Sequence, residues 1–256
     1  MSGRLRTTIA AAALGLLLLA AASAYAIKGQ VGNTVVSSTA TMLPRELPAK
    51  GGAPITLTSV TRVRNKDGSP PQKLSKIDFL IDKHAYVDAK GVPVCTTAKL
   101  EGTTTSGARK RCAGSLVGEG KFDALVNLPG QAQRKVSLPI SFFNGPKVGG
   151  QPSLLGHTHE AVPVPKTLLV PVTVEKVSKG RYGFRLEVGV PQIADGYGTT
   201  ILAEATIGKT RTQGGRKVGY LNAYCSGGRL QVKGKLYFEN GDLFPALLTS
   251  PCHVPG

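Results

Sequence analysis

Aromatic residues are scarce in this sequence. Tryptophan is absent, and Phe, Trp and Tyr together make up 5% of the 256 residues. Proteins that bind single-stranded nucleic acid use aromatic side chains as stacking platforms, and many carbohydrate-binding modules stack sugars on Trp and Tyr in a similar way. The composition therefore argues against specific nucleic-acid recognition and against a stacking carbohydrate-binding module.

Motifs for catalysis are also missing. The sequence contains no Gly-x-Ser-x-Gly, the motif around many nucleophilic serines, and no Cys-x-x-Cys. Ser226-Gly227-Gly228 resembles a turn rather than a nucleophile. Among the 15 acidic residues no pair stands out as a glycosidase acid and base. We identify no catalytic residue and expect no cofactor. The acids with no assigned role include Asp78, Asp82, Asp88, Asp195 and Glu204.

The N-terminus has the three parts of a signal peptide. Arg4 and Arg6 precede an apolar run from Thr8 to Ala22, and Ala24-Tyr25-Ala26 supplies small residues at the spacing that signal peptidase requires. We expect cleavage after Ala26. The alternative is a retained membrane anchor, but an apolar run of about 15 residues is shorter than the roughly 20 needed to span a bilayer. The protein is predicted to be secreted or held in the cell envelope.

Basic residues greatly outnumber acidic ones. The net charge is +17, and removal of residues 1–26, which carry two basic and no acidic residues, leaves about +15. Such an excess favours anionic partners outside the cell, such as envelope polymers. Solubility alone is the competing explanation. The densest positive cluster, Arg109-Lys110-Arg111, is a candidate anion-binding site.

Four cysteines lie in the predicted exported part of the chain. An oxidising compartment favours their pairing, and four cysteines allow three connectivities. We favour Cys95 with Cys112 and Cys225 with Cys252, because each pair encloses one short segment.

Alternation of apolar and polar residues predicts strands along most of the chain. One-sided burial of such strands indicates antiparallel sheets packed face to face. We therefore predict an all-β fold, an antiparallel β-sandwich of Greek-key or jelly-roll type. Residues 54–256 are its single domain, and residues 27–53 are an extended lead-in that is loosely held at its start. The clearest alternating segments are 122–128, 136–142, 184–190, 201–207 and 230–238.

Glycine-containing segments mark the predicted turns. Asn-Gly and Asp-Gly pairs favour the positive φ angles of tight hairpins. We predict turns at Lys66-Asp67-Gly68, Lys90-Gly91, Phe143-Asn144-Gly145-Pro146, Lys179-Gly180 and Glu239-Asn240-Gly241-Asp242. Gly118-x-Gly120, just before a strong strand, indicates a β-bulge or a close approach of two backbones. The segment 72–90 is the best helical candidate because it lacks glycine and proline, but Ile77, Phe79 and Ile81 alternate, which favours strand for part of it.

Several short motifs occur along the predicted mature chain: Gly91-Val92-Pro93-Val94-Cys95, Cys112-Ala113-Gly114-Ser115-Leu116-Val117-Gly118-Glu119-Gly120, Phe143-Asn144-Gly145, Tyr182-Gly183, Val190-Pro191, Tyr220-Leu221-Asn222-Ala223-Tyr224-Cys225 and Cys252. In this order they resemble uncharacterised exported actinobacterial proteins with four cysteines. The resemblance covers most of the predicted mature chain and implies export, a β-rich fold and two disulfides, with no assigned activity.

Histidines at positions 157 and 159 form the one cluster with metal-ligand character. On a strand, residues two apart face the same side, so both imidazoles of His157-Thr158-His159 can approach one ion. The leading hypothesis is a non-catalytic binding or structural module for anionic extracellular material. The alternative is a secreted hydrolase assisted by a metal at His157 and His159.

Overall fold

The computed structural model describes residues 25–160 and 165–256. Strands dominate these residues, and the helices among them are short. None of those helices has the length and apolar character needed to span a membrane. The elements are β1 (Tyr25–Val31), β2 (Thr34–Leu43), β3 (Ala53–Pro54), β4 (Thr56–Asn65), β5 (Leu74–Asp82), β6 (Ala85–Val87), α1 (Thr97–Leu100), α2 (Thr105–Arg111), β7 (Leu116–Val126), β8 (Arg134–Val148), β9 (Gln151–Glu160), β10 (Lys166–Lys179), β11 (Tyr182–Gly189), β12 (Gly198–Ile207), β13 (Thr210–Gln213), β14 (Arg216–Gly219), β15 (Leu221–Ala223), β16 (Arg229–Phe238) and β17 (Leu243–Pro251).

Twelve of the described strands form one continuous antiparallel sheet. Its order is β1-β2-β4-β12-β7-β8-β9-β10-β11-β5-β16-β17. The edge strands β1 and β17 lie close together without pairing, so the sheet nearly closes into a barrel. Ile27 and Val31 of β1 pack in the same apolar cluster as Phe244 and Ala246 of β17, which closes the seam through side chains.

The prediction of an all-β, antiparallel fold is confirmed, but a two-layer sandwich is not. Alternation shows that one face of each strand is buried. It does not show whether the strands belong to two sheets or to one sheet that curls back on itself. Here strands β7 to β11 follow one another in the sheet, and β12 returns to pair with both β7 and β4.

The interior is filled by side chains from strands that are not neighbours in the sheet. Ala124 and Val126 of β7 pack with Leu168 of β10 and with Ile193, although β8 and β9 separate these strands in the sheet. Such contacts are possible only across the enclosed space. The residues of β7 that alternate with these, including Lys121 and Asp123, lie on the outer face.

The segment predicted as a lead-in, residues 27–53, contains β2 and most of β1. Both strands belong to the main sheet, with Ile27 opposite Ser38 and Val36 opposite Val63. The predicted signal peptide lies outside the described residues except for Tyr25 and Ala26.

Most predicted turns are observed, and one is wrong. Gly68, Gly180 and Gly241 have positive φ in connections between strands. By contrast, Phe143-Asn144-Gly145-Pro146 lies inside β8, and the turn to β9 falls at Gly149-Gly150 instead. Segment 72–90 forms β5 and β6 and contains no helix.

Two glycines of β7 show why that strand needs small residues. A Cβ on Gly120 would collide with the carbonyl oxygen of Glu204 on β12, and a Cβ on Gly118 would lie 2.5 Å from the carbonyl oxygen of Thr206. The register between β7 and β8 also shifts between Leu116 and Gly118. The predicted bulge and close backbone approach are both confirmed.

Candidate anion-binding surface

The Cys95–Cys112 disulfide encloses the helices α1 and α2. The favoured pairing is confirmed, as is that of Cys225 with Cys252. Leu100 and Ala108 of the enclosed helices are fully buried, and both pack against the outer face of the sheet. The segment thus covers β8 and β9. Its residues Cys95, Leu100 and Ala108 form one apolar cluster with Phe143, Leu155 and Leu169 of the sheet.

Asn144 connects this cover to the sheet. Its Nδ2 donates to the carbonyl oxygens of Val92 (3.1 Å) and Pro93 (3.2 Å), and its carbonyl oxygen accepts from the Cys95 N–H (2.9 Å). The hydroxyl of buried Tyr220 donates to Asn144 Oδ1 (3.3 Å). The Asn144 side chain is buried, and both its amide nitrogen and its amide oxygen form hydrogen bonds. This Asn-Gly pair therefore stabilises a strand rather than a turn.

The three adjacent cations of α2 have different environments. Arg109 turns back to the sheet, where its Nε donates to Ser141 Oγ (2.8 Å) and its guanidinium lies 3.2 Å from Glu119 Oε2. Lys110 and Arg111 are exposed. All three lie in the last turn of α2, where positive charge also stabilises the helix C-terminus. Only Lys110 and Arg111 therefore remain open to a ligand.

Two further lysines adjoin this pair. Arg111 Nη1 donates to the carbonyl oxygen of Lys99 (3.4 Å), and Lys209 Nζ donates to the carbonyl oxygen of Ala113 (3.3 Å). Lys99 and Lys209 are both exposed. Lys99, Lys110, Arg111 and Lys209 are called the basic surface below. Within the described residues none of the four forms an ion pair.

The β13–β14 hairpin that follows Lys209 is fixed beside this surface. Arg211 donates to the carbonyl oxygens of Asp88 (3.4 Å) and Lys90, and its guanidinium lies 3.7 Å from the Asp88 carboxylate. The Tyr220 N–H donates to the carbonyl oxygen of Lys209 (2.8 Å). These contacts fix the position of the Lys209 backbone. The sequence alone did not indicate Lys209 as part of the site, because about 100 residues separate it from Arg111.

The histidine pair lies beneath the same cover. His157 and His159 share one face of β9, as predicted, but His157 is fully buried and its Nε2 lies 3.1 Å from the carbonyl oxygen of Thr103. Burial lowers the pKa of His157. In the part of the chain that the structure describes, no three His, Cys, Asp or Glu residues are grouped to hold a metal ion.

Each acid that the sequence left without a role has a cationic neighbour. The Asp78 and Asp82 carboxylates accept from Arg185 (2.8 Å) and Arg181 (2.7 Å). The Arg185 pKa is raised, chiefly by its hydrogen bond to Asp78. The remaining ion pairs are Asp88 with Arg211 (3.7 Å), Glu204 with Lys121 (3.9 Å) and Asp195 with Lys166.

Comparison with known proteins gives no relative. No protein-family model, no curated protein and no solved structure matches this chain.

Proposed function

We propose that this protein is a non-catalytic module that binds anionic extracellular polymers through the basic surface formed by Lys99, Lys110, Arg111 and Lys209. One observation carries the proposal: four exposed cations from two distant segments lie on one part of the surface, and none of them forms an ion pair among the described residues. Closely spaced cations raise the local concentration of an anionic ligand more than the same charges dispersed over the surface.

The backbone beneath these cations is held in place before a ligand arrives. The disulfide between Cys95 and Cys112 closes the segment that carries three of them, and buried Leu100 and Ala108 fix its two helices on the sheet. A preformed site loses less conformational entropy on binding. Phosphate and carboxylate groups of a polymer are the ligands that lysine and arginine bind best.

Location outside the cytoplasm is part of this proposal. Two disulfides favour an oxidising compartment, and the N-terminal pattern predicts cleavage after Ala26. Tyr25 and Ala26 pair with Ala40 and Thr39 in the sheet. Cleavage would shorten β1 to residues 27–31 and leave its pairing with β2 otherwise intact.

The test is binding of the mature, disulfide-bonded protein to immobilised polyphosphate and to immobilised polyglutamate over a range of salt concentrations. Replacement of Lys99, Lys110, Arg111 and Lys209 by Gln is expected to weaken binding at low salt by tenfold or more, about 1.4 kcal/mol. It should also flatten the salt dependence, because exposed charges are screened over about 8 Å at physiological ionic strength. The two polymers separate phosphate from carboxylate recognition.

A matched control removes the same number of charges elsewhere. Lys28, Lys176, Lys179 and Lys233 are exposed on β1, β10 and β16, and none of them forms an ion pair within the described chain. Their replacement by Gln is expected to change affinity much less. Equal losses in the two variants would show that total charge, and not the basic surface, governs binding, and would overturn the proposal.

A further inference from the structure

A second candidate site lies in a cleft of about 410 Å³ that shares no residue with the basic surface. Four connections surround it: the one before β5, the one between β7 and β8, the turn before β12 and the turn between β16 and β17. Its volume falls within the range of small-molecule sites, about 300–1,000 Å³. The polar residues that line the cleft include Gln72, Lys73, Asn127, Gln133, Tyr197 and Glu239.

The cleft is electrically neutral in a strongly basic protein. Its two charged side chains are Lys73 and Glu239, whose Nζ and Oε2 atoms lie 3.8 Å apart. The two charges largely compensate each other, so the cleft has no net attraction for the anions that the rest of the surface favours. A ligand selected here is neutral.

Hydrogen-bonding capacity in the cleft is unused. Gln72, Asn127 and Gln133 are exposed, and their side-chain amides have no partner among the described residues. Each amide offers two donor hydrogens and an acceptor oxygen. Sugar hydroxyls both donate and accept, and neighbouring hydroxyls on a ring match the spacing of an amide.

Tyr197 adds an apolar face to the cleft. It is 48% exposed, whereas every other aromatic side chain from Phe79 onward is buried or half-buried. Its carbonyl oxygen accepts from the Asn127 N–H (2.9 Å), which ties the tyrosine to the opposite wall. An exposed aromatic ring can pack against the C–H face of a sugar. One such ring beside three amides does not need the aromatic-rich composition that stacking modules show.

The turn that presents Tyr197 is strained. Ala194 and Asp195 have φ angles of 48° and 51°, the left-handed region that side chains other than glycine rarely occupy. Such strain concentrates at functional sites, where the surrounding structure enforces it. The Tyr197 N–H donates to the Ala194 carbonyl oxygen (3.0 Å), so the strained residues directly fix the tyrosine.

Contacts from the sheet enforce this conformation. The backbone N–H of Ala194 interacts with the carboxylate of Glu160, which is 2% exposed, and Asp195 forms an ion pair with Lys166. Ile193 and Ala194 are buried in the apolar interior with Leu168. The turn is therefore held by buried apolar contacts and by an exposed ion pair with β10.

We infer that this cleft binds a neutral saccharide, with the Tyr197 ring against one sugar face and the amides of Gln72, Asn127 and Gln133 on its hydroxyls. The inference is independent of the basic surface. Binding here should not depend on salt, since neither the ligand nor the cleft carries net charge.

The test is isothermal titration of the mature protein with three neutral probes: maltotriose, cellotriose and the trimer of N-acetylglucosamine. At least one is expected to bind with a dissociation constant below about 10 mM. Tyr197→Ala and the double variant Gln72→Ala/Gln133→Ala should each weaken that binding at least about tenfold, whereas Tyr197→Phe, which keeps the ring, should retain most of it.

The control is Leu247→Ala, which truncates another exposed side chain, 51% exposed, outside the cleft. It should leave the affinity unchanged, and thermal unfolding of every variant shows whether the fold persists. Failure of all three sugars to bind, or binding that survives Tyr197→Ala in a folded protein, overturns the inference. Loss of sugar binding in the basic-surface variant, whose cleft is intact, overturns the inference as well. That result would say nothing about polymer binding.

Discussion

The Nε2 atom of His157 lies 3.1 Å from the carbonyl oxygen of Thr103, which also accepts from the hydroxyl of Thr167 (3.1 Å). Because a carbonyl only accepts, Nε2 must carry the hydrogen. His157 Nδ1 is buried without a hydrogen-bond partner in the described chain. The ring therefore connects β9 to the segment between α1 and α2 in its neutral form.

Protonation of His157 is expected to destabilise the fold. Burial lowers its pKa below the ordinary value near 6.5, so the unfolded chain takes up the proton first. Stability should fall as the pH drops below that value, by up to about 1.4 kcal/mol per pH unit for one proton. His157→Gln removes this titration. Urea unfolding at pH 7, 6 and 5 should give a steeper loss for the natural sequence than for the variant; parallel losses would contradict the assignment.

Alternating residues predicted β7, β8, β11, β12 and β16 because each buries one face of a strand that runs through the sheet. Strands β1 and β2 were not recognised. Their glycine, serine and threonine residues give little contrast between faces, and their burial depends on partners far along the chain, such as Val63 for Val36. The closure of the sheet had no local signal either.

The candidate surface was predicted in part. Local sequence located Lys110 and Arg111, but α2 has seven residues, too few for a recognisable helical period. That Arg109 would turn to Ser141, and that Lys209 would join the surface, depends on long-range packing. The same reason explains Asn144, whose partners lie about 50 residues away.

Asp82 is expected to be the acid that matters most for stability. It is 1% exposed and accepts from Arg181 Nε (2.7 Å), from the Gln231 N–H (3.1 Å) and from the His84 N–H (3.2 Å). Asp82→Ala removes the one acceptor that these three groups share. Loss of one partner from a buried charged pair costs about 3–5 kcal/mol, and the partial exposure of Arg181 favours the lower end. Chemical denaturation measures this change in the free energy of unfolding.

Glu101→Ala is the matched control for Asp82, since Glu101 is an exposed acid whose side chain has no partner in the described residues. It should change stability by less than about 0.5 kcal/mol. An Asp82→Ala variant as stable as this control would show that water replaces the carboxylate.

The two disulfides are expected to affect stability similarly and polymer binding differently. They close loops of 17 and 27 residues, which corresponds to about 3 and 3.5 kcal/mol from restriction of the unfolded chain. Replacing Cys95 and Cys112 by Ser should also weaken binding to polyphosphate, because it frees the segment that carries Lys110 and Arg111. Replacing the other pair by Ser should leave polymer binding unchanged in the folded protein. Equal binding by both variants would contradict a preorganised basic surface.

Glu160 is expected to make stability depend on pH in the opposite direction to His157. Burial raises the pKa of its carboxyl group above the ordinary value of 4.5. The folded state then holds the proton more tightly than the unfolded chain, so the stabilising contribution is present below pH 4.5 and is lost as the pH rises through the folded value. Once ionised, the carboxylate is a buried charge, and its Oε1 has no partner among the described residues. Glu160→Gln keeps an acceptor for the Ala194 N–H without the charge. The variant should therefore unfold at a higher temperature than the natural sequence at pH 7, with a smaller difference at pH 4. The contrary outcome is a variant that is destabilised relative to the natural sequence, and more so at pH 7 than at pH 4. That result would mean that the ionised carboxylate itself holds the strained turn.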